Sequence, residues 1–327
     1  MIGFGRMIGM ALASWIVCAN TAHAQDAPSF PSKPIRVIAP YAPGGQSDTI
    51  MRAVAGKLAE RWNQPVIVEN RAGANGIIGA ELVVRSIPDG YTLIVAEGSL
   101  FTVHPSLYEK LPYDPVRDFA PITRLTTYKT VLLVHPTVPA NNLREFIALV
   151  KAKPGSLSFG SFGQGSGGHL NMEALKLYLG LDIVHVPYKG SAPVMVDLVA
   201  GRLQTVLISV SSAASNVKSG KLRAIAYAGA KRSPILPDIP TFAEAGADFE
   251  NTSWFALMAP AGTPKPIIGR IHDEVSRIIQ EPGFNQQWLV SRGLDAGGES
   301  PEQLAEVIRA ELPYWARIIK TAGVRLE

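Results

Sequence analysis

Apolar runs of strand length alternate with helix-period segments along this chain. Residues 35–39, 66–69 and 92–96 are short apolar runs, and residues 48–62 and 75–86 between them carry helical spacing. In the first of these helices Ile50, Val54 and Leu58 recur at i, i+4 and i+8, which makes one buried stripe. Residues 103–118, rich in proline and charge, read as a connector. A strand at 128–134 opens a second set: helix 142–152, strand 157–161, helix 168–179, strand 183–187, helix 191–200, strand 204–209, helix 211–218 and strand 222–228. Residues 231–251, punctuated by Pro234, Pro237 and Pro240, read as loop. A strand at 254–258 and helices at 264–280 and 301–320 finish the chain, which shows no short repeat and no low-complexity segment.

Alternation of this kind predicts an α/β protein with parallel sheets and helices on both faces. The pattern divides into two similar α/β units. The last two helices have no strand between them and are expected to pack back onto the first unit. That makes the first lobe discontinuous, residues 25–125 with 252–327, and leaves 126–251 as the second lobe. Two lobes joined by two crossing strands can hinge over a cleft.

The first residues are of another kind. Arg6 precedes an apolar stretch from Met7 to Ala19, too short for a membrane span of about 20 residues. Ala22-His23-Ala24 then gives a small-x-small cleavage pattern, so residues 1–24 read as a secretory signal peptide and the mature protein as periplasmic. Cys18, the single cysteine, leaves with that segment, which excludes thiol catalysis and cysteine-ligated metal. The formal net charge of +4 falls by one with Arg6, and the charges are scattered. That balance points to solubility and not to nucleic acid.

The candidate chemistry sits in two glycine-rich turns. Pro40-Tyr41-Ala42-Pro43-Gly44-Gly45-Gln46-Ser47-Asp48 follows the first strand and opens a helix. Gly44 and Gly45 permit close backbone approach, and Ser47 or Asp48 can cap the helix. The first N–H groups of a helix lack partners within it and carry partial positive charge, so the turn suits an anion. A tight capped turn without a ligand is the plain alternative. The second turn, Ser158-Phe159-Gly160-Ser161-Phe162-Gly163-Gln164-Gly165-Ser166-Gly167-Gly168-His169, holds the equivalent place in the second unit. Two such turns facing each other would hold one carboxylate. Each charge-assisted hydrogen bond contributes about 1.5–3 kcal/mol. Tyr188, Gly190 and Ser191, at a third strand-to-helix turn, form a further candidate wall; Lys189 beside them is either a partner for a distal carboxylate or an ordinary exposed surface lysine. Asp197 is expected to hold its helix. Ser99, after the third strand, is the matching position in the first unit.

Enzyme motifs are imitated but not met. Gly163-Gln164-Gly165-Ser166-Gly167-Gly168 satisfies GxGxxG, yet the next strand ends at Pro187-Tyr188-Lys189 where a dinucleotide site wants an acid. The GxSxG elbow fails because Gln164 and Phe159 stand where glycines are required. His169 and Glu173 share a helical face, but two ligands do not make a metal site. His169 either lines the cleft or packs locally, His185 reads as structural, and His104, His135 and His272 stand alone. No arginine occurs in 40–49, 158–169 or 186–193, so an acid bound here is held by amides, hydroxyls and water, with Tyr41, Phe162 and Tyr188 as apolar walls.

Six ordered blocks carry a resemblance. They are Pro34-Ile35-Arg36-Val37-Ile38 with the turn after it, Val68-Glu69-Asn70-Arg71-Ala72-Gly73-Ala74-Asn75-Gly76, Leu111-Pro112-Tyr113-Asp114-Pro115, Val186-Pro187-Tyr188-Lys189-Gly190, Pro237-Asp238-Ile239-Pro240-Thr241 and Ala259-Pro260-Ala261-Gly262-Thr263-Pro264. The chain resembles the Bug-type extracytoplasmic solute receptors, the binding components of tripartite tricarboxylate transporters. The resemblance implies a type II periplasmic-binding-protein fold of two α/β lobes joined by two crossover strands. It implies a ligand carboxylate gripped by Tyr41, Pro43, Gly44, Gly45 and Ser47 on one side and Ser161, Gly163, Gly165, Ser166 and His169 on the other. Asp48 fits the family's acidic helix start, while Gln204 departs from the pattern and is expected to alter the cleft floor. No catalysis, cofactor or metal is implied; the partners are a small organic acid (a di- or tricarboxylate, an amino acid or an aromatic acid) and, transiently, integral-membrane transporter subunits, with the receptor itself a monomer. A secreted serine hydrolase using Ser166 or Ser161 with His169, and a ligand-presenting sensor, are the alternatives.

Overall fold

The computed structural model of the protein describes residues 30–188 and 190–324. The signal-peptide expectation over residues 1–24, and Lys189, lie outside the described residues. Among the described residues ten strands run in chain order: β1 (Ile35–Ala39), β2 (Val66–Asn70), β3 (Thr92–Glu97), β4 (Phe119–Val134), β5 (Ser158–Ser161), β6 (Val184–Pro187), β7 (Thr205–Ser209), β8 (Arg223–Tyr227), β9 (Thr252–Pro260) and β10 (Leu294–Ala296). The helices are α1 (Gln46–Trp62), α2 (Ile77–Val84), the short α3 (Ser99–Thr102) and α4 (His104–Leu107), α5 (Leu143–Ala152), α6 (Gly167–Leu179), α7 (Ser191–Val199), α8 (Val210–Lys218), α9 (Lys265–Gln280), the single turn α10 (Pro282–Phe284) and α11 (Pro301–Ala322).

The same arrangement of three parallel strands occurs twice. β1 lies between β2 and β3, and β5 lies between β6 and β7. In each triplet the first strand is central, so the helix after it turns one way and the next connection crosses to the other side. That reversal opens a crevice at the carboxyl end of the central strand, where open α/β sheets receive ligands. Helix coverage of both faces explains why β1 and β3 are apolar throughout their centres: Val37, Ile38, Ile94 and Val95 are fully buried.

Two antiparallel strands tie the triplets together. The first half of β4 lies between β9 and β10, and its second half between β7 and β8. The sequence reading found only 128–134 of this strand. Pro121 and the polar Thr123, Arg124, Thr126 and Thr127 hide the rest, and register shifts between Pro121 and Thr123 and between Arg124 and Thr126 accommodate them. β10 was missed because a three-residue strand has no period to read.

The C-terminal helices divide their packing. Ile271, Val275 and Ile278 of α9 join the core around β1 and α1. In α11, Leu304 and Ile308 pack with Ile94 and Trp254 of the first unit. Trp315, Ile318 and Ile319 pack instead with Leu170 and Leu175 of α6, in the second unit. The expectation that both last helices belong to the first unit is therefore corrected: α11 spans both. Ile308→Ala and Ile319→Ala each create a cavity at one end of this brace, and each is expected to lower unfolding free energy by about 2–5 kcal/mol in urea titrations.

Candidate functional site

A cavity of about 820 Å³ lies between the two triplets, at the carboxyl ends of β1, β3, β5 and β7. The first turn enters it with Tyr41, Pro43, Gly44, Gly45 and Ser47, and the second with Phe162, Gly165 and Ser166. Ser99, Gly190 and Ser191 line it as well. The two turns meet across the gap: Asn75 Nδ2 donates to the Gln164 carbonyl at 3.4 Å.

Each turn is shaped by side chains behind it. Gly44 takes φ +81°, and its N–H donates to Asp48 Oδ2 at 2.9 Å. Asp48 Oδ1 accepts from Arg52 Nε at 3.0 Å and Asn70 Nδ2 at 2.9 Å, and Asn70 also donates to the Tyr41 carbonyl at 3.1 Å. Burial opposes the Asp48 charge, but Arg52, the Gly44 N–H and Asn70 together hold its carboxyl below the ordinary range. α1 begins with the Thr49 N–H donating to the Gly45 carbonyl, so the N–H groups before it are left for water or a ligand.

In the second turn Gly163 and Gly165 take φ +138° and +75°. Ser166 caps α6 by accepting from the His169 N–H, and His169 Nδ1 accepts from the Gly165 N–H at 3.0 Å. Accepting at Nδ1 fixes the proton on Nε2. The Ser161 hydroxyl lies 2.7 Å from His185 Nε2 and 3.0 Å from the Gly163 carbonyl. The rings of His169 and His185 stack at 3.7 Å. Burial, with the neighbouring charges of His185 and Lys176, pulls His169 down to about 3, and burial with Lys176 pulls His185 down to about 4.

Five candidates therefore stand behind the wall and not on it. Asp48, Ser161 and His169 are buried supports of the turns, each with a side-chain atom bonded to a backbone group of its own turn. Gly163 shapes the turn with its N–H on Ser161 Oγ. Tyr188 donates to Asp197 at 2.7 Å, which keeps it out of the cavity and gives Asp197 the helix-holding part expected of it. Gln204 is corrected too: its Oε1 accepts from Ser158 N–H at 2.9 Å and Ser158 Oγ at 2.8 Å, far from the cleft floor. Ser161 is fully buried beside a half-buried His185, and Ser166 spends its oxygen on capping, so neither serine is presented to the cavity with a base. No group of three metal-ligating side chains occurs among the described residues.

The cavity also gathers residues the sequence did not single out: Asn75, Glu97, His104, Tyr128, Asn171, Ser209, Ser211, Ser212, Phe255 and Arg292 among them. Burial lowers His104 to about 4, so it lines the wall uncharged. Glu97 Oε1 accepts from Tyr128 at 2.5 Å and Oε2 from Ser99 at 3.2 Å; burial still pushes this carboxyl up, against those two hydroxyls. Arg292 enters from the segment before β10, its guanidinium 4.9 Å from the Trp288 ring and Nη1 donating to the Gln287 carbonyl at 2.6 Å. The absence of arginine from the glycine turns was no guide to the far wall, because Arg292 is about a hundred residues away in sequence from the nearest turn.

Paired α/β units, joined by strands and enclosing a cavity between two helix N-termini, define the periplasmic-binding-protein fold. Residues 50–324 match the tripartite tricarboxylate transporter family receptor. Protein BugT of Bordetella pertussis is 34% identical over 315 residues, covering 96% of this chain and 96% of that protein. An R. palustris protein solved with adipate superposes with a TM-score of 0.82 at 32% identity, covering 90% of this chain and 99% of the other. MatC from Rhodopseudomonas palustris, solved with bound malate, gives a TM-score of 0.78 at 31% identity, covering 89% and 100%. The chain belongs to the tripartite tricarboxylate transporter receptor family, whose members here are solute-binding receptors and not enzymes. Nothing among these relatives supports the hydrolase or the sensor.

Two outcomes follow from the supports. Asp48→Asn removes the charge that gathers Gly44, Arg52 and Asn70, and is expected to cost about 1–3 kcal/mol of stability by chemical denaturation. The folded His169 and His185 have depressed pKa values, so their contribution to stability is complete above the unfolded value near 6.5 and is lost as pH falls toward about 4 and then 3. A denaturation midpoint measured from pH 7.5 down to 4 should fall, and His185→Phe should flatten the fall.

Proposed function

We propose that the protein is an exported receptor that captures a small carboxylate-bearing metabolite in this cavity and delivers it to membrane subunits of a tripartite tricarboxylate-type transporter. The observation that carries the reading is the pairing of two glycine turns, each opening a helix, on opposite walls of one cavity. Backbone N–H groups of both helix starts favour an anion without requiring a counter-ion of their own. The relatives solved with adipate and malate support a carboxylate as the ligand class. Residues 1–24 serve as the cleaved export signal in this reading, and lobe boundaries near 125 and 252 let the walls close about β4 and β9.

The contacts assigned to ligand are Tyr41, Pro43, Gly44, Gly45, Ser47 and Ser99 on one wall and Phe162, Gly165, Ser166, Gly190 and Ser191 on the other. Arg292, with Ser209, Ser211 and Ser212, forms the distal wall and engages whatever second polar group the ligand carries.

A thermal-shift screen against carboxylic acids should find a ligand that raises Tm by mass action without being turned over. Gly45→Val is the discriminating variant. Its φ of −67° suits any residue and a Cβ would meet only Ala42 O at 3.6 Å, so the protein should fold with Tm nearly unchanged and lose the shift. Retention of full affinity would show that the ligand lies elsewhere. Gly165→Val is a poorer test, because φ +75° strains any side chain there. Arg292→Ala is expected to weaken dicarboxylates about tenfold more than monocarboxylates in calorimetric titrations.

A further inference from the structure

The feature that a plain acid receptor does not explain is Glu97. It ends β3 with its carboxyl on the cavity wall. It also stands between the two glycine turns. A Cβ built on Gly167, the first residue of α6 in the opposite unit, would lie 2.9 Å from Glu97 Oε1. On its own side the Tyr41 hydroxyl is close enough to feel the Glu97 charge. A carboxylate held by both turns would sit directly beside this side chain, and two like charges at such range repel.

The surroundings favour an ionised Glu97 only if a cation arrives. Each oxygen receives one hydroxyl, from Tyr128 and from Ser99, which is the pattern of an acceptor carboxylate. No lysine, arginine or histidine nitrogen pairs with it among the described residues. His104 on the same wall is uncharged, and Arg292 belongs to the distal wall, at the segment before β10, with no bond to Glu97. The carboxyl is thus solvated by two hydroxyls, enclosed, and one counter-charge short.

We propose that Glu97 anchors a cationic nitrogen carried by the ligand next to its carboxylate, so that the ligand class is an α-amino acid or a similar zwitterion and not a plain carboxylic acid. The inference rests on the carboxylate reading of the two turns and adds a second pole to it. The turns and helix starts take the carboxylate, and Glu97 takes the ammonium, with Ser99 and Tyr128 keeping the Glu97 oxygens oriented. An ammonium at this place separates the two negative groups and replaces the missing counter-charge.

The test is calorimetric titration of the purified protein with matched pairs that differ only in the amino group: L-glutamate and glutarate, L-leucine and 4-methylpentanoate, L-phenylalanine and 3-phenylpropanoate. In the pair that binds, the amino member should be at least about tenfold tighter, and Glu97→Gln should weaken it by about tenfold or more while leaving the desamino member unchanged or tighter. Tyr128→Phe keeps the carboxylate and should keep the preference for the amino member, which guards against a Glu97→Gln variant that fails to fold; unligated thermal melts check both. Equal or tighter binding of the desamino acid by the unaltered protein overturns the proposal, as does a folded Glu97→Gln variant that still prefers the amino member. Silence of both members in every pair would instead sink the carboxylate reading of the turns, and this proposal with it.

Discussion

A negative charge leaves water only where donors wait for it, and a protein that supplies those donors as arginines or lysines must first neutralise its own cations. This chain supplies backbone N–H groups at two helix starts. Their partial charge is fixed by the helix itself, and their position is fixed by the strand before them. The rest of the molecule follows from needing two such starts to face one another. A central strand in each triplet delivers each turn to the crevice, and the shared strands β4 and β9 set the triplets on either side of it. The apolar cores of both units keep those strands in place: Val37, Ile38 and Ile94 in one, Phe159 and Leu207 in the other, are fully buried.

Donors of this sort are useful only when rigid. The hidden polar residues provide the rigidity. Asp48 collects the Gly44 N–H, Arg52 and Asn70, and Asn70 reaches on to the Tyr41 carbonyl. Across the cavity His169 takes the Gly165 N–H and stacks on His185, which in turn meets Ser161. Each network holds its turn by one glycine N–H, that of Gly44 or of Gly165, while the first N–H groups of α1 and α6 have no partner within their helices. Removing a network member therefore disturbs the donors without touching the ligand, which separates support from contact in any mutational series.

The sequence showed the fold well because parallel triplets produce apolar runs that stand out from amphipathic helices, and the ends of β1, β3, α1, α5 and α6 were read within a few residues of where they lie. β4 was legible only in its apolar second half, since its first half alternates buried and polar positions around Pro121. The glycine turns were legible because positive φ needs glycine. What could not be read was which polar side chains face the cavity. Asp48, Ser161 and His169 have the chemistry of ligand contacts, and only the backbone bonds they make show that they point inward to the turn. Arg292 had no local signal at all. Glu97 ends an ordinary strand, in a turn where only Ser99 was singled out, and Arg292 reaches the wall through β10 pairing with β4.

That distinction bears on how receptors of one fold come to differ. The turns are fixed by backbone geometry, so a change there damages every ligand alike. The far walls are side chains on separate elements: Glu97 at the end of β3, Ser209 at the end of β7, Arg292 before β10. Each can be exchanged without altering φ at a glycine or unpairing a buried N–H. In the proposed reading, affinity for a charge resides in the scaffold and discrimination in substitutable positions, which is the division expected when one architecture serves many small molecules.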